Sequence, residues 1–241
     1  MQTTLCFDFG NTRLKCAVFN NAEIKKVVTL DDDSISSVEN IINQEKPDKA
    51  ILSSVINHNP EIEVLLAQKT GFHKLTDKSK LPFTTPVGKP ETIGADRLAL
   101  VAAAVYFYPK QHNLIIGLGS CITYNFVNKF HEFLGGSISP GLNMRFKAMH
   151  QFTAKLPLEK PDSNFPLVGY DTKTNLQSGA VLGMAREMDG IIDEYALRYG
   201  NFNVHLTGGD MSFFVPLLKN KIFANPHLIF NGLYALSETN V

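Results

Sequence analysis

The sequence predicts an α/β protein built from two similar lobes with a cleft between them. Two runs of short β-strands, broken by Gly and Asn, open residues 1–111 and 112–241, and each run leads into segments of helical periodicity. Asp8-Phe9-Gly10-Asn11 and Gly117-Leu118-Gly119-Ser120 occupy the same place in the two runs. An internal copy of a strand, a small-residue turn and a second strand indicates a duplication, with residues 1–111 as one lobe and 112–241 as the other.

The first lobe is predicted to open as an antiparallel meander and to continue with α/β units. Ser34 has the character of a helix N-cap, followed by apolar residues at helical spacing. Between residues 76 and 90 the composition shifts to Lys, Thr, Pro and Gly, which indicates an ordered loop. The predicted strands cover residues 4–9, 14–19, 23–30, 50–55 and 72–75, and the predicted helices cover 34–45, 61–70 and 95–106.

The second lobe repeats the opening pattern. Its first strand, residues 114–118, ends in a small-residue turn, and two more strands are predicted at 121–127 and 130–134. A long helical stretch covers about residues 172–199. The last predicted strand, 204–207, leads into Gly208-Gly209.

Composition and charge exclude several classes of protein. The 23 Lys and Arg residues balance the 23 Asp and Glu residues, which argues against a nucleic-acid binder that relies on a strong positive field. No apolar run is long enough to span a bilayer, and no signal peptide is evident, so a cytoplasmic protein without a membrane partner is expected. The three cysteines and seven histidines show no metal-ligand spacing, and no Ser/His/Asp arrangement is apparent locally.

The segment Asp8-x-Gly10-Asn11-Thr12-x-x-Lys15 is the first candidate site. A glycine at a strand end lets the backbone approach a phosphate, and successive turn amides can form an anion-binding nest. Lys15 can return from the next strand as a point charge on phosphate oxygens, and Asp8 could hold Mg²⁺ directly or through water. The alternative is an ordinary hairpin turn. No GxxxxGK[ST] run is present, so this is not a P-loop enzyme.

Gly94-Ala95-Asp96-Arg97 is the second candidate site, in the first turn of an alanine-rich helix. Arg97 can pair with a substrate carboxylate or hydroxyl, and Asp96 can accept the proton of an attacking hydroxyl. The alternative is an aspartate that stabilises the helix N-terminus and an arginine in solvent.

Two glycine-rich segments are weaker candidates. Residues 135–141 (GGSISPG) suit a loop whose backbone approaches a ligand or a neighbouring lobe, or else a tight structural connection. Thr207-Gly208-Gly209-Asp210 lies between a strand and a helix, where bare backbone could contact an adenine, although a simple loop explains it as well.

Together these motifs resemble, in chain order, those of the type III pantothenate kinases, and the likeness covers almost the whole chain. It extends beyond the segments quoted so far. The further segments that carry it are Gly119-Ser120-Cys121-Ile122-Thr123, residues 143–149, Thr153-Ala154-Lys155-Leu156-Pro157, Asp171-Thr172 and Gln177-Ser178-Gly179.

The resemblance implies the fold of the acetate and sugar kinase/Hsc70/actin superfamily, with two duplicated actin-like (ribonuclease H-like) lobes, usually in a homodimer. It also implies ATP- and Mg²⁺-dependent phosphorylation of pantothenate, the first step towards coenzyme A.

The site residues implied by the resemblance fall into three groups. Asp96 would be the general base for the pantothenate hydroxyl, Ser120 would match a nucleotide-contacting threonine, and Thr172 a substrate-contacting threonine. The pantothenate pocket would be lined by Gly94, Ala95, Asp96 and Arg97. The ATP phosphates and Mg²⁺ would be held by Asp8, Phe9, Gly10, Asn11, Thr12, Arg13, Leu14 and Lys15.

Three positions depart from the family pattern. Gly117 stands where the family usually has an aspartate that helps to bind an activating monovalent cation, K⁺ or NH₄⁺. Val87 stands where a substrate-pocket tyrosine is usual, and Asp171 where asparagine is common. We therefore expect a changed cation dependence or substrate affinity.

Two alternatives to an active pantothenate kinase follow from these departures. A non-catalytic relative could bind nucleotide or pantothenate and act as a regulator, although retention of both Asp8 and Asp96 argues against it. A kinase of the same fold could act instead on another small hydroxylated metabolite, which Val87 would favour.

Overall fold

The computed structural model describes residues 2–86 and 88–241; Val87, the position of the expected pocket tyrosine, lies outside them. The strands are β1 (Thr3–Phe9), β2 (Leu14–Asn20), β3 (Glu23–Leu30), β4 (Lys49–Ser54), β5 (Gly71–Lys74), β6 (Asn113–Leu118), β7 (Cys121–Val127), β8 (Phe133–Pro140), β9 (Asn203–Gly208) and β10 (Phe223–Ala224). The α-helices are α1 (Ile35–Glu45), α2 (Glu61–Lys69), α3 (Ala95–Phe107), α4 (Leu142–Gln151), α5 (Thr172–Gln177), α6 (Gly183–Tyr199), α7 (Met211–Phe214) and α8 (Leu228–Asn240).

The first sheet has the strand order β3-β2-β1-β4-β5. β1, β2 and β3 pair antiparallel, which confirms the predicted meander, whereas β4 and β5 join parallel to β1. Parallel pairing requires crossover connections, and α1 and α2 supply them. The carboxyl ends of β1, β4 and β5 therefore meet at one edge of the sheet.

Helices cover both faces of this sheet. Ser34 caps α1 by accepting a hydrogen bond from the Ser37 amide, as predicted, and Val38, Ile41 and Ile42 of α1 are buried in a core with Phe7 and Leu52 from the sheet. α3 and α8 pack against each other and contact β1 and β4.

The crossing of α3 and α8 is close because Gly232 has no side chain there. A Cβ at Gly232 would lie 1.9 Å from the Ala99 carbonyl oxygen. Small residues on both helices therefore allow their backbones to approach, and Leu98 to Val105 of α3 are all buried.

The second sheet, ordered β8-β7-β6-β9-β10, repeats the strand order of the first. β9 lies parallel to β6, as β4 lies parallel to β1, and β10 lies parallel to β9 as β5 does to β4. The duplication inferred from two short motifs is thus confirmed by topology. The predicted helix over 172–199 is also present, and a π-helical turn at Ser178–Leu182 joins α5 to α6.

The glycine-rich segment 135–141 is not a loop, contrary to the first of its two predicted roles. Its first six residues belong to β8, which begins at Phe133 and extends well beyond the predicted strand 130–134. Gly136 has φ +154, and a Cβ there would lie 1.9 Å from the Tyr124 carbonyl oxygen. The glycine is therefore required by the close approach of the β7 backbone, which is a structural role. β10 escaped prediction because it has only two residues.

The chain divides into two compact units. One comprises the described parts of Met1–Lys110 with Val127–Leu134 and His227–Val241, and the other comprises Gln111–Phe126 and Gly135–Pro226. This differs from the division at 111/112 expected from the sequence, because α8 packs on α3 in the first unit. Among the described residues, no helix is both long and apolar enough to cross a membrane.

Candidate functional site

Asp8 stands near the carboxyl end of β1, and the hairpin that follows it forms as predicted. Asp8 pairs with Lys15 across the β1–β2 ladder, so both side chains lie on the same face of the sheet. The turn between them is closed by the Gly10 amide, which donates to the Arg13 carbonyl at 3.1 Å. Asn11 and Thr12 at its tip are exposed. The hairpin thus presents backbone amides and one lysine beside a carboxylate.

The Asp8 carboxylate is in an unfavourable environment for a lone negative charge. Burial and, to a smaller extent, the negative charge of Asp96 raise its pKa to about 7, against the lowering by the positive charge of Lys15. Two residues that are 88 positions apart in sequence are therefore close enough in the first unit to influence each other electrostatically. Two neighbouring carboxylates favour a bound cation.

Asp96 lies in the first turn of α3, and Gly94 is the N-cap of this helix. The Asp96 carboxylate accepts hydrogen bonds from its own backbone N–H and from that of Arg97. Burial nevertheless raises its pKa, against the lowering by these bonds and by the Arg97 charge. The helix-stabilising role is therefore real, and it also orients the carboxylate. A raised pKa brings a carboxylate closer to the range suited to a general base.

Arg97 is half-buried and not a solvent arginine. Its guanidinium lies over the Phe133 ring, 5.6 Å from the centroid, and burial lowers its pKa while Asp96 opposes that change. A cation held against an aromatic face is fixed in orientation. Arg97 can therefore offer a defined set of donors to a substrate.

A pocket of about 360 Å³ opens beside the start of α3. Gly94 and Ala95 line it, together with Ser54 and Val55 at the end of β4 and Thr76 after β5. The remaining lining residues are Lys74, Leu75, Asp77, Glu91, Thr92 and Ile93. Its size suits a small metabolite, and its position at the carboxyl edge of parallel strands is a common one for ligands.

A hydrogen-bonded chain supports the wall of this pocket. The Ser54 hydroxyl contacts His58 Nδ1 at 2.8 Å, and His58 Nε2 contacts Glu63 Oε1 at 3.0 Å. Lys74 Nζ donates to the same Glu63 oxygen at 2.6 Å. Ser54 also donates to the Ile56 carbonyl, so the serine is tied into the strand end. Local sequence gave no sign of this Ser–His–Glu chain, because its members come from a strand, a loop and a helix.

The other predicted site residues, Ser120 and Thr172, belong to the second unit. Ser120 lies in the turn between β6 and β7, where its carbonyl accepts a hydrogen bond from the Gly141 amide at 3.1 Å. Thr172 is exposed and is the first residue of α5. Asp171 caps this helix by accepting from the Thr174 amide at 2.7 Å, which gives the aspartate a local structural role.

Gly117 occupies in β6 the place that Asp8 occupies in β1. Asp8 pairs with Ser53 of the parallel strand β4, and Gly117 pairs with Thr207 of β9. The second unit therefore repeats the backbone of the site without its carboxylate. Gly208, with φ +104, would bring a Cβ to 2.2 Å from the Leu118 carbonyl oxygen, so it serves strand packing.

The residues predicted from sequence are thus partly assembled. Asp8, Lys15, Gly94, Ala95, Asp96 and Arg97 lie in one unit, and the electrostatic coupling of the two aspartates joins the two motifs. Sequence reasoning missed the contributions of Ser54, Val55 and Thr76 to the pocket. The sequence signal that could have located them is the parallel strands, because the residues at the carboxyl ends of parallel strands meet at one edge of the sheet.

The comparisons with known proteins agree with this architecture. A family model described as type III pantothenate kinase matches residues 4–194. A type III pantothenate kinase from Christiangramia forsetii is 41% identical over 239 residues, covering 98% of each chain. One from Bacteroides fragilis is 38% identical over 240 residues, again covering 98% of each chain.

Solved structures extend the likeness of the fold. A Baf family transcriptional activator from Campylobacter jejuni superposes with a TM-score of 0.61 at 21% identity, covering 97% of both chains. A glucokinase from an Antarctic psychrotroph superposes with a TM-score of 0.52 at 11% identity, covering 99% of both chains. Sequence identities this low bear on the fold alone. The superpositions confirm the duplicated actin-like α/β architecture. The match of the family model and the full-length relatives show that this chain belongs to the type III pantothenate kinase family.

Proposed function

We propose that this chain transfers the γ-phosphate of ATP to the hydroxyl of pantothenate, giving 4'-phosphopantothenate in the first step of coenzyme A synthesis. The observation that carries this proposal is the coupling of Asp8 and Asp96 within one unit. A phosphate-binding turn and a base for the acceptor hydroxyl must lie close together for phosphoryl transfer. Family membership supports pantothenate as the acceptor.

The chemistry follows from the residues at hand. The substrate hydroxyl oxygen attacks the γ-phosphorus of ATP. The bond between the γ-phosphorus and the β–γ bridging oxygen breaks, and ADP leaves with the electron pair. The hydroxyl proton passes to the Asp96 carboxylate. Lys15 and the amides of the turn at residues 10–13 neutralise and orient the phosphate oxygens. A base of this kind contributes about 10²–10⁴-fold to the rate.

The donor set around Asp8 fits Mg²⁺. Magnesium keeps several waters and takes one or two protein carboxylates, which matches Asp8 with Asp96 nearby. Among residues 2–86 and 88–241, no group of three or more His, Cys, Asp or Glu side chains could hold a metal ion, so a cage of protein ligands is not offered. When bound, the metal would supply charge neutralisation at the phosphates. Asp8 would hold it, directly or through water.

The pantothenate pocket is assigned to the cavity that Gly94 and Ala95 line. Arg97, fixed against Phe133, is proposed to orient the substrate carboxylate or hydroxyl. The roles of Ser120 and Thr172, towards nucleotide and substrate respectively, remain proposals based on family resemblance.

Three further properties are proposed on the same basis. The protein acts as a homodimer, and it is cytoplasmic. Its response to K⁺ or NH₄⁺ is reduced, because the β6 position that would carry an aspartate holds Gly117.

One alternative function is favoured by a specific residue. A kinase of the same fold for another small hydroxylated metabolite is favoured by Val87 at the expected tyrosine position. A non-catalytic regulator is disfavoured because both aspartates are present and coupled.

The test is a coupled assay of ADP release with purified protein, Mg²⁺ and ATP, run with pantothenate and with a panel of other small hydroxylated compounds. We expect turnover with pantothenate above all others, and little change when K⁺ replaces Na⁺. Turnover with a different member of the panel would support the altered-substrate alternative. ATP binding without turnover on any compound would support the regulator.

A further inference from the structure

Two side-chain hydroxyls in the described part of the chain are buried without a hydrogen-bond partner, those of Thr4 and Ser53. Ser53 has no exposed surface and Thr4 has 1%. A buried polar group without a partner destabilises a fold, so each such group calls for an explanation. The surroundings of the two hydroxyls differ, and that difference suggests a role for one of them.

Ser53 is the direct neighbour of Asp8 in the sheet. The parallel register of β1 and β4 pairs Asp8 with Ser53, and Phe7 with Leu52. Phe7 and Leu52 point into the core beneath α1 and α2. Because side chains alternate along a strand, Asp8 and Ser53 project together from the opposite face.

That opposite face is the one on which the candidate site forms. Lys15 pairs with Asp8 from β2 and so projects from it as well. α3 contacts β4, and its first turn carries Asp96 into electrostatic contact with Asp8. Ser53 is therefore placed beside the charged groups that would surround a metal–nucleotide complex.

Thr4 occupies the same strand as Asp8 but lies far from it. The two positions are four steps apart along β1, or about 13 Å. Thr4 pairs with Lys49 at the other end of the β1–β4 ladder. It is an orphaned hydroxyl at the far end of β1 from Asp8, and so serves as a natural control.

We propose that the Ser53 hydroxyl is a further ligand-positioning group of the nucleotide site, which gains its partner only when Mg²⁺ and ATP bind. Its partner is a water molecule of the metal held at Asp8. The inference rests on the proposed function, and deepens it by adding a neutral oxygen from β4 to the carboxylate from β1. Magnesium retains such waters, and groups that bind them orient the ion.

The experiment compares Ser53→Ala with Thr4→Val by two measurements on the full chain. The first is thermal unfolding of metal-free, nucleotide-free protein. Both substitutions remove an unpartnered hydroxyl, so both variants should melt at or above the temperature of the unaltered protein. The second is calorimetric titration with ATP, in Mg²⁺ and in EDTA. We expect Ser53→Ala to weaken Mg²⁺-dependent ATP binding by about 10-fold and Thr4→Val to leave it unchanged.

Two results would overturn the inference while leaving the proposed function intact. One is Mg²⁺-dependent ATP binding by Ser53→Ala equal to that of the unaltered protein. The other is a lower melting temperature for metal-free Ser53→Ala, since it would show that the hydroxyl supports the fold. Absence of Mg²⁺-dependent ATP binding by the unaltered protein would instead refute the proposed function, and the inference with it.

Discussion

Substitution of Gly94 by alanine should damage the reaction far more than the fold. Gly94 precedes α3 with φ −59 and ψ 140, values that alanine adopts without strain. A Cβ added there would lie 2.5 Å from Oδ1 of Asp96. The added methyl group therefore meets the proposed base and spares the surrounding backbone.

The size of the effect follows from that distance. Ordinary carbon–oxygen contacts begin near 3.4 Å, so the Asp96 carboxylate must retreat by about 0.9 Å. Misplacement of a catalytic group by about 1 Å can cost about 10²-fold in rate. We therefore expect kcat to fall by about 10²-fold, with little change in the affinity for ATP.

The effect on stability should be small. The retreating carboxylate loses hydrogen bonds to the first-turn amides, a change comparable to loss of a helix cap, which costs about 1 kcal/mol. For a chain of this length, that lowers Tm by about 2–4 °C.

The assay is steady-state turnover of Gly94→Ala, measured alone and in an Asp96→Asn background, with thermal unfolding of each variant. If alanine acts by displacing the base, it should cost almost nothing once Asp96 is already asparagine. An equal loss of kcat in both backgrounds would refute the reasoning, because alanine would then be acting elsewhere.

Three further predictions concern stability. Burial lowers the pKa of His205 to about 4 in the folded protein, below its unfolded value of about 6.5. The contribution of the neutral, buried imidazole to stability is fully present above about pH 6.5, and about 3 kcal/mol is lost as the pH falls towards 4. The free energy of unfolding of His205→Gln, measured by denaturant titration, should lack this dependence on pH. Gly232→Ala should lower the free energy of unfolding by about 1–3 kcal/mol, because its Cβ would meet the Ala99 carbonyl oxygen at 1.9 Å. Gly190→Ala, at an exposed position in α6 with open space around it, should raise the free energy of unfolding by about 0.5–1 kcal/mol. The Gly190→Ala protein should therefore melt at a higher temperature than the Gly232→Ala protein, and the opposite order would contradict the packing argument.

Elements defined by local chemistry were predictable from the sequence. The turn after Asp8 follows from Gly10 and Asn11 between two β-rich runs. Ser34 was predictable as the N-cap of α1 because serine is favoured at that position, directly before a segment whose apolar residues have helical spacing. The duplication was detectable because the second unit repeats strands and turn in the same order.

Features set by tertiary contact were not predictable in this way. A pair of glycines suggests a loop, yet Gly136 lies in strand β8. A glycine is required there because the Tyr124 carbonyl on the neighbouring strand leaves no room for a Cβ. α8 belongs with the first unit because Gly232 fits against α3, which sequence order does not reveal. The coupling of Asp8 with Asp96 needs the sheet and the helix to be assembled. The family resemblance gave both aspartates a role in the reaction, but it did not state their proximity.

The most direct test of the account is mass-spectrometric detection of 4'-phosphopantothenate made by purified protein from ATP, Mg²⁺ and pantothenate, beside Asp96→Asn. The account predicts product from the unaltered protein and a rate lower by about 10²–10⁴-fold in the variant, which should still bind ATP. Product formed at an equal rate by Asp96→Asn would contradict the assigned base. No product from folded, ATP-binding unaltered protein would contradict the proposed function itself.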